Sequence, residues 1–142
     1  MRAVRITTLA LVACALALPV RAEIVEMRAE LSARNEVPPV SSNATGQGQV
    51  RLDTATGALS WTVTYSGLSA PLSAAHFHGP ATATGNAPVI VPIAMAGTAS
   101  PLSGSATINQ AQAADLLAGR WYINIHTPNN PGGEIRGQVL RR

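Results

Sequence analysis

From Val25 onward the chain alternates. Val25, Met27, Ala29, Leu31 and Ala33 are apolar, and Glu26, Arg28, Glu30 and Ser32 between them are polar, the period of a strand with one face on a core and one in water. Glu36-Val37-Pro38-Pro39-Val40 interrupts it, because proline cannot donate to a ladder, and reads as an edge or an ordered loop. Alternation resumes over residues 46–53 and 58–67, joined by Thr54-Ala55-Thr56-Gly57. Val50 and Leu52 can then face Leu59, Trp61, Val63 and Tyr65, which predicts a hairpin.

After a short crossing at 68–72 comes Ala74-Ala75-His76-Phe77-His78, stopped by Gly79-Pro80. The stretch 87–95 carries Pro88 and Pro92, which place it at an edge, and 102–108 is a further strand. Residues 109–119 are the one helical interval, with Asn109 as cap, Gly119 as stop, and Leu116 and Leu117 as the packing face. Strand character returns over 120–127, the stretch 128–133 predicts a sharp turn, and 134–140 closes the domain. About seven or eight short strands with turns between them predict an all-β fold, a Greek-key β-sandwich or partly closed barrel with one short helix.

The first 22 residues read differently. Arg2 and Arg5 precede an apolar run from Leu9 to Leu18, and Val20-Arg21-Ala22 offers a small-residue cleavage site. This is the pattern of a signal peptide over 1–22, leaving a single domain at 23–142 that is periplasmic or secreted. The run is too short for a transmembrane helix, and Leu11-Val12-Ala13-Cys14 offers lipid anchoring through Cys14 as the alternative. Cleavage after Ala22 would also remove the only cysteine, so the domain would depend on its core rather than on a disulfide.

Loss of the leader changes the charge. The formal net charge of +3 is carried by Arg2, Arg5 and Arg21, and the remaining arginines balance the 7 acidic residues. A near-neutral domain without lysine has no footprint for nucleic acid or for a polybasic membrane contact.

The candidate chemistry lies in the three histidines. His76 and His78 leave one face of their strand, with Phe77 on the other. In the later strand His126 shares a face with Tyr122 and Asn124, opposite Trp121, Ile123 and Ile125. Three imidazoles can hold copper or zinc and leave a fourth position for water or substrate. Equally, they can hydrogen-bond to loops and hold the turns near Pro80 and Pro128. Around them, Glu36 is a possible acidic ligand or part of a positioned loop, and Tyr122 and Asn124 are placed to orient the second ring nitrogen of His126. Glu134 and Arg136 share a strand face, able to pair with each other, or Arg136 is buried and fixes the 128–133 turn. Core packing is the role of Trp61, Tyr65, Phe77 and Trp121. No phosphate loop, nucleophilic cysteine or catalytic triad is present in the sequence.

Four segments together resemble the CHRD domain family: Leu31-Ser32-Ala33-Arg34-Asn35-Glu36-Val37-Pro38-Pro39-Val40, Ala74-Ala75-His76-Phe77-His78-Gly79-Pro80, Tyr122-Ile123-Asn124-Ile125-His126-Thr127, and Pro131-Gly132-Gly133-Glu134-Ile135-Arg136-Gly137-Gln138. The resemblance spans Met27 to Leu140 and implies an extracytoplasmic β-rich module, generally without an assigned activity. His-Phe-His is also similar to the paired copper ligands of the copper/zinc superoxide dismutases. That likeness stops there, because the sequence has only three histidines and no cysteine past the leader. The expected function is an exported module binding copper or zinc through His76, His78 and His126. The alternatives are a structural or protein-interaction domain of the cell envelope without metal, with oligomerisation through an edge strand open, and a metal-dependent enzyme.

Overall fold

The computed structural model describes residues 22–142. The proposed leader up to residue 21, with Cys14, lies outside them. Nine strands form one antiparallel sheet around the core: β1 (Ile24–Ser32), β2 (Thr45–Asp53), β3 (Ala58–Ser66), β4 (Ala74–His78), β5 (Val89–Met95), β6 (Leu102–Thr107), β7 (Tyr122–Thr127), β8 (Asn130–Gln138) and β9 (Leu140–Arg141). Helix α1 (Gln110–Leu117) lies between β6 and β7.

The alternation of the sequence becomes the two sides of this sheet. Along β1, Val25, Met27, Ala29 and Leu31 are buried, and the residues from Ile24 to Glu30 between them are exposed. The expected hairpin forms with Leu52 opposite Leu59 and Val50 opposite Trp61. Its turn is held by Asp53, whose carboxylate accepts the N–H groups of Ala55 and Thr56, and by Gly57 at φ +73. Helix α1 has a full capping box, Asn109 with Gln112, ends before Gly119 at φ +72, and buries Leu116.

The strand order is β5-β4-β7-β8-β1-β2-β3-β6, with β9 on β1. The end strands β5 and β6 come back toward one another, so the sheet is a nearly closed barrel. Around it β3, β6, β5 and β4 lie side by side, a Greek-key path. Between β8 and β1 the only register pair is Ser32 with Arg136, so the ladder that joins them is short. Inside, Phe77 packs edge-on to Trp61 at 5.3 Å and against Trp121 at 5.9 Å. Pro92 sits on the edge strand β5, where a missing donor is tolerated.

Two expectations need correction. The predicted turn at 128–133 is shorter, because β8 already begins at Asn130. Thr127 pairs with Asn130 and Ile125 with Ile135, so residues 131–134 stand opposite the single residue His126 as a large bulge. The closing segment is also two strands, since β9 leaves β8 and pairs with Met27 and Arg28 of β1. Among the described residues, no helix is long and apolar enough to cross a membrane.

Candidate metal centre

β4 and β7 are neighbours, with His76 opposite Asn124, His78 opposite Tyr122 and Ala74 opposite His126. Residues directly opposite share a face, so all three imidazoles leave the outer side of the barrel. Ala74 contributes only a methyl group, which leaves room for the ring of His126 to lean toward His76. The ring centroids are 5.2 Å apart for His76 and His126, 5.6 Å for His76 and His78, and 5.8 Å for His78 and His126. One ligand atom from each lies within 4.8 Å of the other two. Among the described residues no acidic side chain joins them.

The hydrogen bonds identify the free nitrogens. His78 Nδ1 lies 2.9 Å from the carbonyl of Ala87, and His126 Nδ1 lies 3.0 Å from the carbonyl of Pro131. A carbonyl can only accept, so each Nδ1 carries the proton and each Nε2 keeps its lone pair. His78 Nε2, His126 Nε2 and His76 Nδ1 are buried without a hydrogen-bond partner. Burial lowers the pKa of all three rings, opposed at His78 by the Ala87 bond and at His126 by the Pro131 bond. His76 is lowered further by His126 and His78, and His78 by His126 and Arg136. The cluster therefore favours neutral rings, the form that donates to a metal.

This outer face is not the wet surface that alternation suggests. His78, Tyr122, Asn124 and Arg136 on it are buried, beneath the loops that follow β1 and β4. Tyr122 stacks on His78 at 4.9 Å and 6°, and the Arg136 guanidinium sits 3.5 Å over the Tyr122 ring. The Tyr122 hydroxyl accepts the Ala87 N–H at 3.1 Å. Arg136 donates to Asn86 Oδ1 at 2.9 Å and to the carbonyls of Thr82 at 3.1 Å and Gly85 at 2.7 Å. Asn86 in turn donates to the Val37 carbonyl at 2.8 Å, tying the two loops together. A cavity of about 700 Å³ lined by Arg28, Arg34, Glu36, Pro39, Arg136 and Leu140 adjoins this layer and contains none of the histidines.

The supporting residues take other roles than expected. Tyr122 and Asn124 do not orient the second nitrogen of His126; the bulge puts the Pro131 carbonyl there first, and Tyr122 instead stacks on His78. Arg136 is buried, one of the two readings open to it, but it fixes the 82–86 loop and not the 128–133 turn. Nor does it pair with Glu134, whose partners lie elsewhere. Ser42 Oγ and the Ser69 N–H donate to Glu134 Oε1 at 2.7 and 2.8 Å, while Ser69 Oγ and Thr127 Oγ1 donate to Oε2 at 2.7 Å. Burial opposes the charge of Glu134, yet these bonds outweigh it and hold its pKa down to about 2.

Glu36 is not among the gathered ligand atoms. It is 5% exposed, accepts from Asn124 Nδ2 at 3.4 Å, and leaves Oε1 without a partner, as Asn124 leaves Oδ1. Burial pushes its carboxyl up to about 7, against the pull of Arg136 and Asn124. Gly133 lies against both groups at φ +129, where a Cβ would meet Asn124 and come within 2.8 Å of Glu36 Oε1. Sequence reasoning missed Gly133 and the carbonyls of Ala87 and Pro131. Only the Pro-Gly-Gly run hinted at the first, and it reads as an ordinary turn.

Comparison with curated proteins and with solved structures returned no match. The CHRD domain model matches residues 27–139, which hold the histidines, the bulge and the loops over them. The chain therefore belongs to the CHRD domain family.

Proposed function

We propose that this CHRD module binds one copper or zinc ion through His76 Nδ1, His78 Nε2 and His126 Nε2, as a binding or carrier domain. The observation that carries this reading is the gathering of three imidazoles, with one ligand atom of each within 4.8 Å of the others and one buried, unpartnered nitrogen on every ring. A buried acceptor left unpaired costs about 1–3 kcal/mol, and a cation would answer the lone pairs of all three rings together. Two of the rings have their tautomer fixed by backbone carbonyls, the usual outer support of a metal-bound histidine. Neutral rings bind without first releasing a proton. An all-imidazole set suits copper or zinc and does not suit magnesium or calcium.

The bonds from His78 to Ala87 and from His126 to Pro131 also support a second reading, in which the histidines serve only to hold loops. Isothermal titration of metal-stripped protein with copper and with zinc separates the two. The metal reading expects one ion per chain, lost in His76→Ala and in His126→Ala. It also expects thermal stability to rise by about 2.7 kcal/mol at a hundredfold excess over Kd. A folded wild-type protein without saturable binding sinks it, and destabilised variants with no metal sensitivity establish the loop-holding role.

A further inference from the structure

Met95 ends the edge strand β5 and is 79% exposed, while Met27 is buried in the core. Its register places it opposite Ala74, and Ala74 is opposite His126 on the other side. Opposite residues share a face, so Met95, Ala74 and His126 form one row on the outer side of the barrel, its ends ~10 Å apart. The middle of that row is a methyl group. The Met95 backbone is fixed, its carbonyl accepting from Thr98 Oγ1 at 2.8 Å, while its side chain keeps three rotatable bonds and a polarizable sulfur.

Resting on the tri-histidine reading above, we propose that Met95 supplies a thioether to that centre from its rim and makes it selective for Cu(I). Thioethers favour Cu(I) and add nothing for zinc, which takes imidazole, thiolate and carboxylate. The three imidazoles hold either metal; the Met95 sulfur distinguishes them. Reaching across Ala74, the flexible side chain meets the ion on the side of His126, which is only half-buried. The same sulfur is the exposed atom that an arriving or departing Cu(I) ion meets.

The test is competition for Cu(I) against a chromophoric chelator, without oxygen and with ascorbate, in wild type and Met95→Leu. Both are made in a Cys14→Ser background, so that no thiol competes, and zinc titration is run in parallel. Met95→Leu is expected to weaken Cu(I) binding about tenfold or more and to leave zinc affinity unchanged. X-ray absorption of the Cu(I)-loaded wild type is expected to show a sulfur neighbour that the variant lacks. Equal Cu(I) affinity and no sulfur neighbour overturn the role of Met95 while leaving the histidine site in place. A parallel fall in zinc affinity overturns it too, by marking a general disturbance. Wild type that binds neither metal overturns the histidine site itself.

Discussion

Replacing Glu36 by glutamine tests the polar layer beside the histidines through the pH dependence of folding. The Glu36 carboxyl meets the Asn124 amide with one bond made, from Nδ2 to Oε2. On the other side Glu36 Oε1 and Asn124 Oδ1 are both buried acceptors without a partner. A carboxylate cannot repair that pairing, but a carboxylic acid can, by donating its proton to the amide oxygen. The raised pKa, from 4.5 to about 7, agrees. A folded pKa above the unfolded one adds stability that is complete below pH 4.5 and is lost as pH rises through 7. The difference corresponds to about 3 kcal/mol, with the attraction of Arg136 already counted in the value.

Glutamine carries a permanent N–H where the acid carries its proton, so Glu36→Gln keeps the pair closed at every pH. Urea unfolding, run with a chelator so that metal binding does not intrude, is the assay. Wild type and variant should be equally stable near pH 4.5, and by pH 8.5 the variant should be the more stable by about 2–3 kcal/mol. An offset that does not change with pH would refute the reasoning. So would a wild type that gains on the variant as pH rises.

Glu134→Gln should behave in the opposite sense. The folded pKa of about 2 lies below the ordinary 4.5, so the wild-type advantage is full above pH 4.5 and disappears as pH falls toward 2, a change of about 3 kcal/mol that acid unfolding curves should record for wild type and not for the variant. Gly133→Ala places a methyl group against Asn124 and Glu36 at φ +129, and should cost about 1–3 kcal/mol in the same urea assay. It should also flatten the dependence between pH 4.5 and 8.5 by prising the Glu36–Asn124 pair open.

What could be read from the sequence follows from how local each signal is. Alternation from Val25 to Ala33 and the pairing of Val50 and Leu52 with their hairpin partners are short-range patterns, and they stand. The shared face of His76 and His78 follows from a period of two and needs no tertiary knowledge. The meeting with His126 needs β4 to pair with β7, and the register that sets it beside Ala74 comes from the whole barrel. The error at 128–133 has a plain cause. Proline and glycines mark both a turn and a bulge, and only the ladder on either side distinguishes them. Arg136 and Glu134 looked like partners because they alternate on one strand. The bulge ends just there, and each side chain turns to a different set of partners, Glu134 to Ser42, Ser69 and Thr127 and Arg136 to the 82–86 loop.

The 82–86 loop over the outer face is held by the Arg136 donors and tied to the loop after β1 by the Asn86 amide, and Ala87 beside it is held by the Tyr122 hydroxyl. Exposing polar surface lowers heat capacity on opening, where exposing apolar surface raises it. The barrel core should therefore weaken on cooling as its hydrophobic drive fades, while the 82–86 loop beside His78, held by polar bonds, should weaken less. Calorimetry across temperature would see a domain whose core and polar-bonded loop obey different curves, with His78 at the boundary between them.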